Sequence, residues 1–201
     1  MNGLLAVLIA YLLGAIPFGY LLVKWRTGRD VRAGGSGNIG ATNVLRTSGR
    51  AAGIATLLLD VVKGYLAVWF AGCITAQSPG WMSLAALAVM AGHIFPVFLG
   101  FKGGKAVASF AGAFLCLTPL ALMTDMVVFI VMVLWTRRIS IGSITAAASF
   151  PLAVWLILHP PAVVTAAAIV AGALIIYRHS NNVRRIRAGT EDEFTFGAHR
   201  S

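Results

Sequence analysis

Hydrophobic runs of about 17–25 residues recur along this chain, and a helix of that length crosses the hydrocarbon core of a bilayer. Hydrophobic residues make up 59% of the 201-residue sequence and charged residues 11%. In a typical soluble domain about a quarter of the residues are charged. The sequence therefore predicts an all-α integral membrane protein. Because no Pro/Ser-rich linker divides the chain, we expect a single transmembrane domain over residues 1–201.

Seven membrane spans are expected. The apolar block at 106–136 is too long for one span and contains Thr118–Pro119. Proline disfavours helix for the residue before it, so the block divides there into two spans. We interpret residues 3–23 as a retained first span rather than a signal peptide, since no basic segment precedes it. The predicted spans are 3–23, 52–71, 81–99, 105–117, 119–136, 140–158 and 161–177.

The net charge of +10 is unevenly distributed. Apart from Lys63, the basic residues fall in the segments 24–50, 102–105, 137–138 and 178–200. The intervening connections contain no Lys or Arg, which is the positive-inside pattern. This pattern predicts a periplasmic N-terminus, a cytoplasmic C-terminus and basic segments on the cytoplasmic side. The positive charge is therefore attributed to membrane orientation and to the binding of anionic ligands. We expect no nucleic-acid partner.

The first basic segment contains the glycine-rich stretch GGSGNIGATNVLR, residues 34–46. Its GSGNIG matches the dinucleotide fingerprint GxGxxG, but that fingerprint requires a βαβ unit, and the sequence context contradicts one. Glycines let backbone N–H groups approach an anion, and arginine offers a two-pronged donor to phosphate. A flexible connecting loop is the alternative interpretation. The predicted anion-binding positions are Gly35, Ser36, Gly37, Asn38, Gly40, Thr42, Asn43 and Arg46.

Three further segments should lie on the same face. FKGGK joins Gly103 and Gly104 to Lys105 at the start of a helix, whose N-terminal dipole favours anions. Ser140 and Ser143 are three residues apart and share one helix face. The stretch YRHSNNVRR brings Arg178, His179 and Asn182 into about one turn. The convergence of four donor-rich segments predicts a cytoplasm-facing phosphate site built on a helical bundle.

Simpler roles remain open for several of these residues. Small serines commonly pack helices in membranes, and an interfacial arginine extends its head group toward water. His93 is expected to pack or to bond the backbone. Asp60 and Lys63, at i and i+3 inside a span, are expected to pair in a supporting role. Asp125 has no evident partner in the sequence.

Several catalytic apparatuses are missing from the sequence. It shows no acidic cluster for magnesium, no GxSxG motif, no Cys–His pairing and no HxxxxD arrangement. A site with many cations and amides but no evident base or nucleophile is suited to anchoring two anionic substrates. Proximity and preorganised charge can then supply much of the rate enhancement.

Four motifs carry a resemblance to a known family: GSGNIGATNVLR, DVVKG, GHIFPVFLGFKGGKAVA and RHSNNVRR. In this order and at these spacings they resemble the bacterial acyl-phosphate:glycerol-3-phosphate acyltransferases (PlsY). The resemblance implies a seven-helix inner-membrane enzyme that makes 1-acyl-glycerol 3-phosphate and inorganic phosphate in the first step of phospholipid synthesis. It implies no metal or other cofactor. The implied partners are glycerol 3-phosphate, fatty acyl phosphate, membrane lipid and the enzyme that produces acyl phosphate.

The resemblance also implies roles for individual residues. Matched by motif, Ser36, Asn38, Thr42 and Arg46 would bind phosphate groups, while Lys105, Ser143, His179 and Asn182 would hold glycerol 3-phosphate and the transition state. Among these, the expected catalytic residues are Arg46, Lys105, His179 and Asn182. The donor's own phosphate would assist deprotonation of the glycerol hydroxyl.

One departure from the family pattern stands at Ala106, where the family usually has glycine. We expect this position to be helical, so that alanine is harmless there. Two rival functions are a transporter of phosphate esters and a purely structural membrane protein. A transporter would place its charge near the bilayer midplane and often contain internal repeats. The polar motifs of this sequence instead crowd one membrane face.

Overall fold

The computed structural model describes residues 1–194, which are helical throughout apart from short connections and contain no β-strand. Within these residues there are ten α-helices, α1 to α10 in chain order: Asn2–Ala15, Phe18–Thr27, Ala41–Ser48, Arg50–Ile74, Pro79–Ile94, Val107–Leu117, Pro119–Thr136, Ile139–Leu158, Ala162–Arg178 and Ser180–Arg187. The all-α class predicted from the sequence is confirmed. Arg200, in the basic tail, lies outside the described residues.

Five helical segments of the described chain are long and apolar enough to cross a membrane. A sixth is obtained if α9 and α10, which meet at a bend of 51°, count as one span. The remaining apolar helix, α6, has 11 residues. At about 1.5 Å per residue it covers roughly 17 Å, about half of a typical hydrocarbon core. The five clear segments are Asn2–Thr27, Arg50–Ile74, Pro79–Leu99, Pro119–Thr136 and Ile139–Leu158.

Prolines explain where two of the apolar blocks break. The predicted turn at Thr118–Pro119 is present, with α6 ending at Leu117 and α7 beginning at Pro119. The first span, predicted to be continuous, is in fact interrupted between α1 and α2. There Ile16 adopts an extended conformation (ψ 114°) immediately before Pro17. The same rule that predicted the first break accounts for the second, because the residue before proline avoids the helical region.

Small residues set the spacing of the helices. Helix α1 packs on α5, α4 on α6, α7 on α8 and α8 on α9. At several of these crossings a glycine leaves no room for a Cβ atom, because a backbone carbonyl of the neighbouring helix fills that space. Such contacts let membrane helices approach closely, where van der Waals packing replaces the hydrophobic effect. Three clear examples are Gly14 against Val89, Gly92 against Tyr11 and Gly112 against Val61.

Four polar segments meet at one end of the bundle. Arg178, at the end of α9, donates hydrogen bonds to the loop before α6. Glu191, after α10, accepts a hydrogen bond from Ser140 at the start of α8. Asp192 forms an ion pair with Arg46 on α3. The donor-rich segments therefore share one end of the molecule, and they enclose the site described next.

Candidate active site

A polar pocket of about 260 Å³ opens between the glycine-rich loop, the loop before α6 and the α9–α10 bend. None of its lining residues is acidic, whereas three of them are basic. Such a surface attracts anionic ligands. The lining residues are Ser36, Gly37, Asn38, Gly103, Lys105, Tyr177, Arg178, Ser180, Asn181, Asn182 and Arg185.

Asn43 shapes the glycine-rich loop from inside. Its side chain is 2% exposed, and its Oδ1 accepts a hydrogen bond from the backbone N–H of Ser36 at 2.8 Å. Its Nδ2 lies 3.2, 3.2 and 2.7 Å from the carbonyl oxygens of Val31, Gly34 and Asn38. These contacts use the whole amide, so the structure differs from the prediction that Asn43 binds a ligand.

Gly35 is needed for these hydrogen bonds between the Asn43 side chain and the loop. It has a positive φ of 56°, and a Cβ atom at this position would overlap the Asn43 Oδ1. Glycine satisfies both requirements, because it adopts the left-handed region freely and has no side chain. The loop consequently turns Ser36, Gly37 and Asn38 toward the pocket.

The second half of GGSGNIGATNVLR is helical rather than a loop. Helix α3 begins at Ala41, and the N–H of Gly40 just before it bonds to Asn38 Oδ1 at 3.0 Å. Thr42 and Arg46 lie on this helix and do not line the pocket. The Nη1 of Arg46 lies 2.7 Å from an oxygen of Asp192. Of the predicted residues in this stretch, the structure brings only Ser36, Gly37 and Asn38 to the pocket wall.

The loop before α6 is held by its own backbone. The N–H groups of Gly103 and Gly104 donate to the carbonyl oxygens of Ile94 and His93 at 3.1 and 3.0 Å. From the other side, the Arg178 guanidinium donates to the Gly104 and Gly103 carbonyls at 3.2 Å each. These two N–H groups therefore do not point at an anion, contrary to their predicted role. The charged group that this loop contributes to the pocket lining is the side chain of Lys105.

Ala106 corrects a further expectation. It has φ 61° and ψ 13°, the left-handed conformation, and serves as the N-cap of α6. The prediction that this position is helical was wrong, because α6 begins only at Val107 and the chain must turn sharply to enter it. In this conformation a Cβ atom lies too close to a carbonyl oxygen, at a cost of about 1–2 kcal/mol.

Lys105 is one of the three basic residues that line the pocket. Its Nζ donates a hydrogen bond to Asn182 Oδ1 at 2.5 Å. Burial lowers the pKa of Lys105 from 10.5 to about 8, although the nearby Glu191 carboxylate opposes this shift. Arg185, Arg46 and Arg178 lower the pKa further through repulsion between like charges. A bound phosphate would give the Lys105 ammonium group a negatively charged partner.

Glu191 holds two of the lining residues, Asn182 and Arg185, a role that was not predicted from the sequence. One carboxylate oxygen accepts from Ser140 Oγ at 2.7 Å and from Asn182 Nδ2 at 2.6 Å, and the other accepts from Arg185 Nε at 2.7 Å. Burial raises the pKa of Glu191, but these three donors outweigh that effect and hold the pKa below its usual value. By fixing the Asn182 amide nitrogen, Glu191 turns the amide oxygen toward Lys105. The available signal was that Glu191, Asp192 and Glu193 follow shortly after a basic helix.

His179 and Ser143, both predicted to contact substrate, lie outside the pocket lining. His179 is 2% exposed, and its Nδ1 donates to the Ile175 carbonyl at 2.8 Å. In the neutral ring this leaves Nε2 as an acceptor. Ser143 donates to the Ile139 carbonyl at 2.9 Å and lines a separate small apolar pocket. Asp125 lines the same apolar pocket and accepts from Ser149 Oγ at 2.9 Å, a partner that the sequence did not reveal.

Comparisons with known proteins agree on one family. The family model for glycerol-3-phosphate acyltransferases matches residues 4–189. The glycerol-3-phosphate acyltransferase of Geobacter sulfurreducens is 46% identical, over 96% of this chain and 98% of its own length. That of Trichlorobacter lovleyi is 48% identical, over 96% of this chain and 97% of its own length.

Two solved structures are similar to this fold. Both are crystal structures of PlsY (YgiH), described as an integral membrane glycerol 3-phosphate acyltransferase. The glycerol 3-phosphate form superposes with a TM-score of 0.92 at 39% identity, covering 97% of this chain and 96% of the other. The lysophosphatidic acid form has a TM-score of 0.89 at 38% identity, with the same coverage.

Proposed function

The chain belongs to the glycerol-3-phosphate acyltransferase family, and we propose on that basis that it acylates the 1-hydroxyl of glycerol 3-phosphate. The observation that carries this function to the pocket is its chemistry. Lys105, Arg178 and Arg185 line it together with the amides of Asn38 and Asn182. Such donors bind phosphate oxygens with strong, charge-assisted hydrogen bonds. Family membership also favours an enzyme over the transporter and structural alternatives.

The proposed acyl donor is a fatty acyl phosphate. The hydroxyl oxygen of glycerol 3-phosphate attacks the acyl carbonyl carbon, and the bond between that carbon and the bridging phosphate oxygen breaks. The departing phosphate takes the hydroxyl proton, so that the products are 1-acyl-glycerol 3-phosphate and inorganic phosphate. This balance requires no protein nucleophile. The pocket residues bind and orient two anions and stabilise the charge that develops between them.

Residue roles follow from position. Lys105 is the principal phosphate-binding cation, and Asn182, held by Glu191, orients it. Ser36 and Asn38 add neutral donors from the glycine-rich loop. Arg46 stays in the proposed set because its partner Asp192 has a 67% exposed side chain. An ion pair this exposed contributes only about 0–1 kcal/mol, so a phosphate dianion can replace it.

The remaining predicted residues receive different parts in this proposal. The glycines shape the two loops that form the pocket walls, as does Asn43. Direct substrate contacts by Thr42, Ser143 and His179 stay predictions that require a ligand to be bound. The proposed shaping residues are Gly35, Gly37, Gly40, Asn43, Gly103 and Gly104.

For the membrane arrangement we propose seven crossings in one domain, with α6 as the short one. The ends of α5 and α7 and the start of α6 lie at the polar end of the bundle, which supports an outward α6 and a returning α7. The basic segments lie at that same end, so it should face the cytoplasm, with the N-terminus in the periplasm of a bacterial inner membrane. Acyl phosphate would enter from the lipid phase or from the enzyme that produces it.

The direct test uses purified protein in micelles. Given fatty acyl phosphate and glycerol 3-phosphate, it should release inorganic phosphate and form lysophosphatidic acid. Lys105→Ala should lower kcat/KM by about 30-fold, the equivalent of about 2 kcal/mol for a lost charged hydrogen bond. Lys102→Ala is the matched control, since Lys102 is exposed and does not line the pocket. If the protein were active only with acyl-CoA or acyl carrier protein, acyl phosphate would not be the donor. If both variants had the same kinetics, the active site would not be at this pocket.

A further inference from the structure

A cluster of buried polar side chains lies beneath the loop that carries Lys105. Asp60 and Lys63 belong to α4, His93 to α5 and Ser109 to α6. None of the four is more than 4% exposed. Ionisable groups inside a membrane bundle are costly and commonly mark functional positions. The pocket lining includes none of them, so direct contact with substrate does not explain their presence.

Lys63 is the centre of this cluster. Its Nζ lies 2.7 Å from an Asp60 carboxylate oxygen, 3.0 Å from the Ile16 carbonyl oxygen and 3.0 Å from His93 Nδ1. The contacts with Ile16 and His93 have hydrogen-bond geometry, and the contact with Asp60 is an ion pair. The opposite charges of Asp60 and Lys63 cancel locally, which lowers the cost of burying both.

The contact with Lys63 decides how His93 is protonated. A charged lysine can only donate, so we infer that Nδ1 of the imidazole accepts from Lys63, at 3.0 Å, rather than donating to the Asp60 oxygen that lies 3.6 Å away. The ring proton of the neutral histidine is then on Nε2. Ser109 Oγ, at 3.2 Å from the same Nδ1, supports the ring from the side of α6. The orientation of His93 is therefore set by partners on two other helices.

The far side of the His93 ring touches the functional loop. A Cβ atom built on Gly104 would overlap His93 Nε2 and lie 2.9 Å from Cδ2, and the three nearest atoms that it would meet all belong to this ring. Gly104 does not have a positive φ, so its conformation does not require glycine. Glycine is required here because the His93 ring occupies the space that a side chain would need. The carbonyl oxygen of His93 also accepts the Gly104 N–H at 3.0 Å.

We propose that His93 is a positioning residue for the Gly103–Lys105 loop, held in place by Asp60, Lys63 and Ser109. The ring limits how closely Gly104 can approach α5. The position of the loop in turn determines the position of the Lys105 ammonium group in the pocket. This inference rests on the proposed function, because its principal readout is the acylation of glycerol 3-phosphate. A displacement of about 1 Å in such a site can lower activity about 100-fold.

A compensation experiment tests the contact. In the full-length protein, Gly104→Ala should lower kcat/KM for glycerol 3-phosphate at least about tenfold, because the new methyl group displaces the loop. In a His93→Ala background the same substitution should cost less than about threefold, since the space is then free. Gly103→Ala is the matched control. Its Cβ would meet Pro96 and the carbonyl oxygens of His93 and Ile94, which removing the ring leaves in place.

The outcomes separate positioning from simple helix packing. If His93 only holds helices together, Gly104→Ala will be equally damaging in both backgrounds, and the proposal is overturned. Rescue of Gly104→Ala but not of Gly103→Ala supports it. Separate values of kcat and KM, with unfolding temperatures for each variant, show whether a loss of activity is a loss of fold. An inactive wild type would instead refute the proposed function before any variant is compared.

A second measurement needs no loss of the ring. Nitrogen-15 NMR of histidine-labelled protein should show His93 as the neutral Nε2–H tautomer, assigned by its absence in His93→Gln. Lys63→Met removes the donor to Nδ1 and should shift His93 toward a mixture of tautomers. A wild-type His93 protonated on Nδ1, or charged at neutral pH, would contradict the proposed arrangement.

Discussion

The pKa of Lys105 predicts how the reaction depends on pH. Burial lowers this pKa from 10.5 to about 8. At about 1.4 kcal/mol per pKa unit, the ligand-free pocket disfavours the ammonium form by about 3 kcal/mol relative to water. The charge is present below pH 8 and is lost above it. Because kcat/KM reports ionisations of the free enzyme, it should fall about tenfold per pH unit above pH 8.

Stability should change in the opposite direction. The unfolded chain keeps the lysine proton up to its ordinary pKa of 10.5, whereas the folded chain releases it near 8. Between these values the unfolded state binds more protons, so the free energy of unfolding rises with pH, by at most about 3 kcal/mol. A bound phosphate dianion favours the ammonium form. The alkaline limb of kcat should therefore lie at higher pH than the limb of kcat/KM.

The assay measures initial rates of phosphate release between about pH 6 and pH 10, with spontaneous hydrolysis of acyl phosphate subtracted. Lys105→Arg should lower activity but remove the alkaline limb, because arginine remains charged throughout this range. Lys102→Arg should keep the wild-type profile. An unchanged limb in Lys105→Arg would show that another group titrates and would refute the reasoning.

Three further predictions, one of them with a matched control variant, concern other parts of the site. Glu191→Gln should lower kcat/KM about tenfold, since it weakens the charge-assisted bond to Arg185 and the hold on Asn182, while Asp192→Asn, at an exposed ion pair, should change it less than about threefold. Ala106→Gly should raise the free energy of unfolding by about 1 kcal/mol without loss of activity, as measured by denaturation in micelles; destabilisation would argue against the left-handed conformation. Asn43→Ala should cost about 2 kcal/mol and raise the KM for glycerol 3-phosphate, whereas a KM unchanged from wild type would show that the loop keeps its shape without the Asn43 hydrogen bonds.

Much of the architecture follows from hydrophobicity, proline and charge. The runs of apolar residues predicted the helices, and the Thr118–Pro119 turn was predicted from the effect of proline on the preceding residue. The break at Ile16–Pro17 obeys the same rule. It was missed because the flanking residues form one apolar stretch of the length that a span requires. Helix α3 was missed because a glycine-rich beginning concealed the amphipathic turn that follows it.

The site was less predictable, because its residues are paired over long sequence distances. The sequence identified Ser36, Asn38, Lys105 and Asn182, all of which line the pocket. It did not reveal that the Asn43 side chain bonds to the backbone of its own loop, or that Glu191 bonds to two side chains of α10. Composition shows which donors exist, but only the fold shows which of them are already used. The same limit applies to Gly104, where a ring from another helix explains the glycine.

The position of Glu191 also bears on the order in which the protein can become functional. The carboxylate that fixes Asn182 and Arg185 comes from a residue that follows α10, and its third donor, Ser140, lies in the first turn of a much earlier helix. During synthesis the membrane helices can insert and pack before residue 191 has been made. The pocket can be completed only afterwards. We therefore expect a chain that is interrupted before residue 191 to insert its helices but to lack the carboxylate that holds Asn182 and Arg185, and so to be inactive.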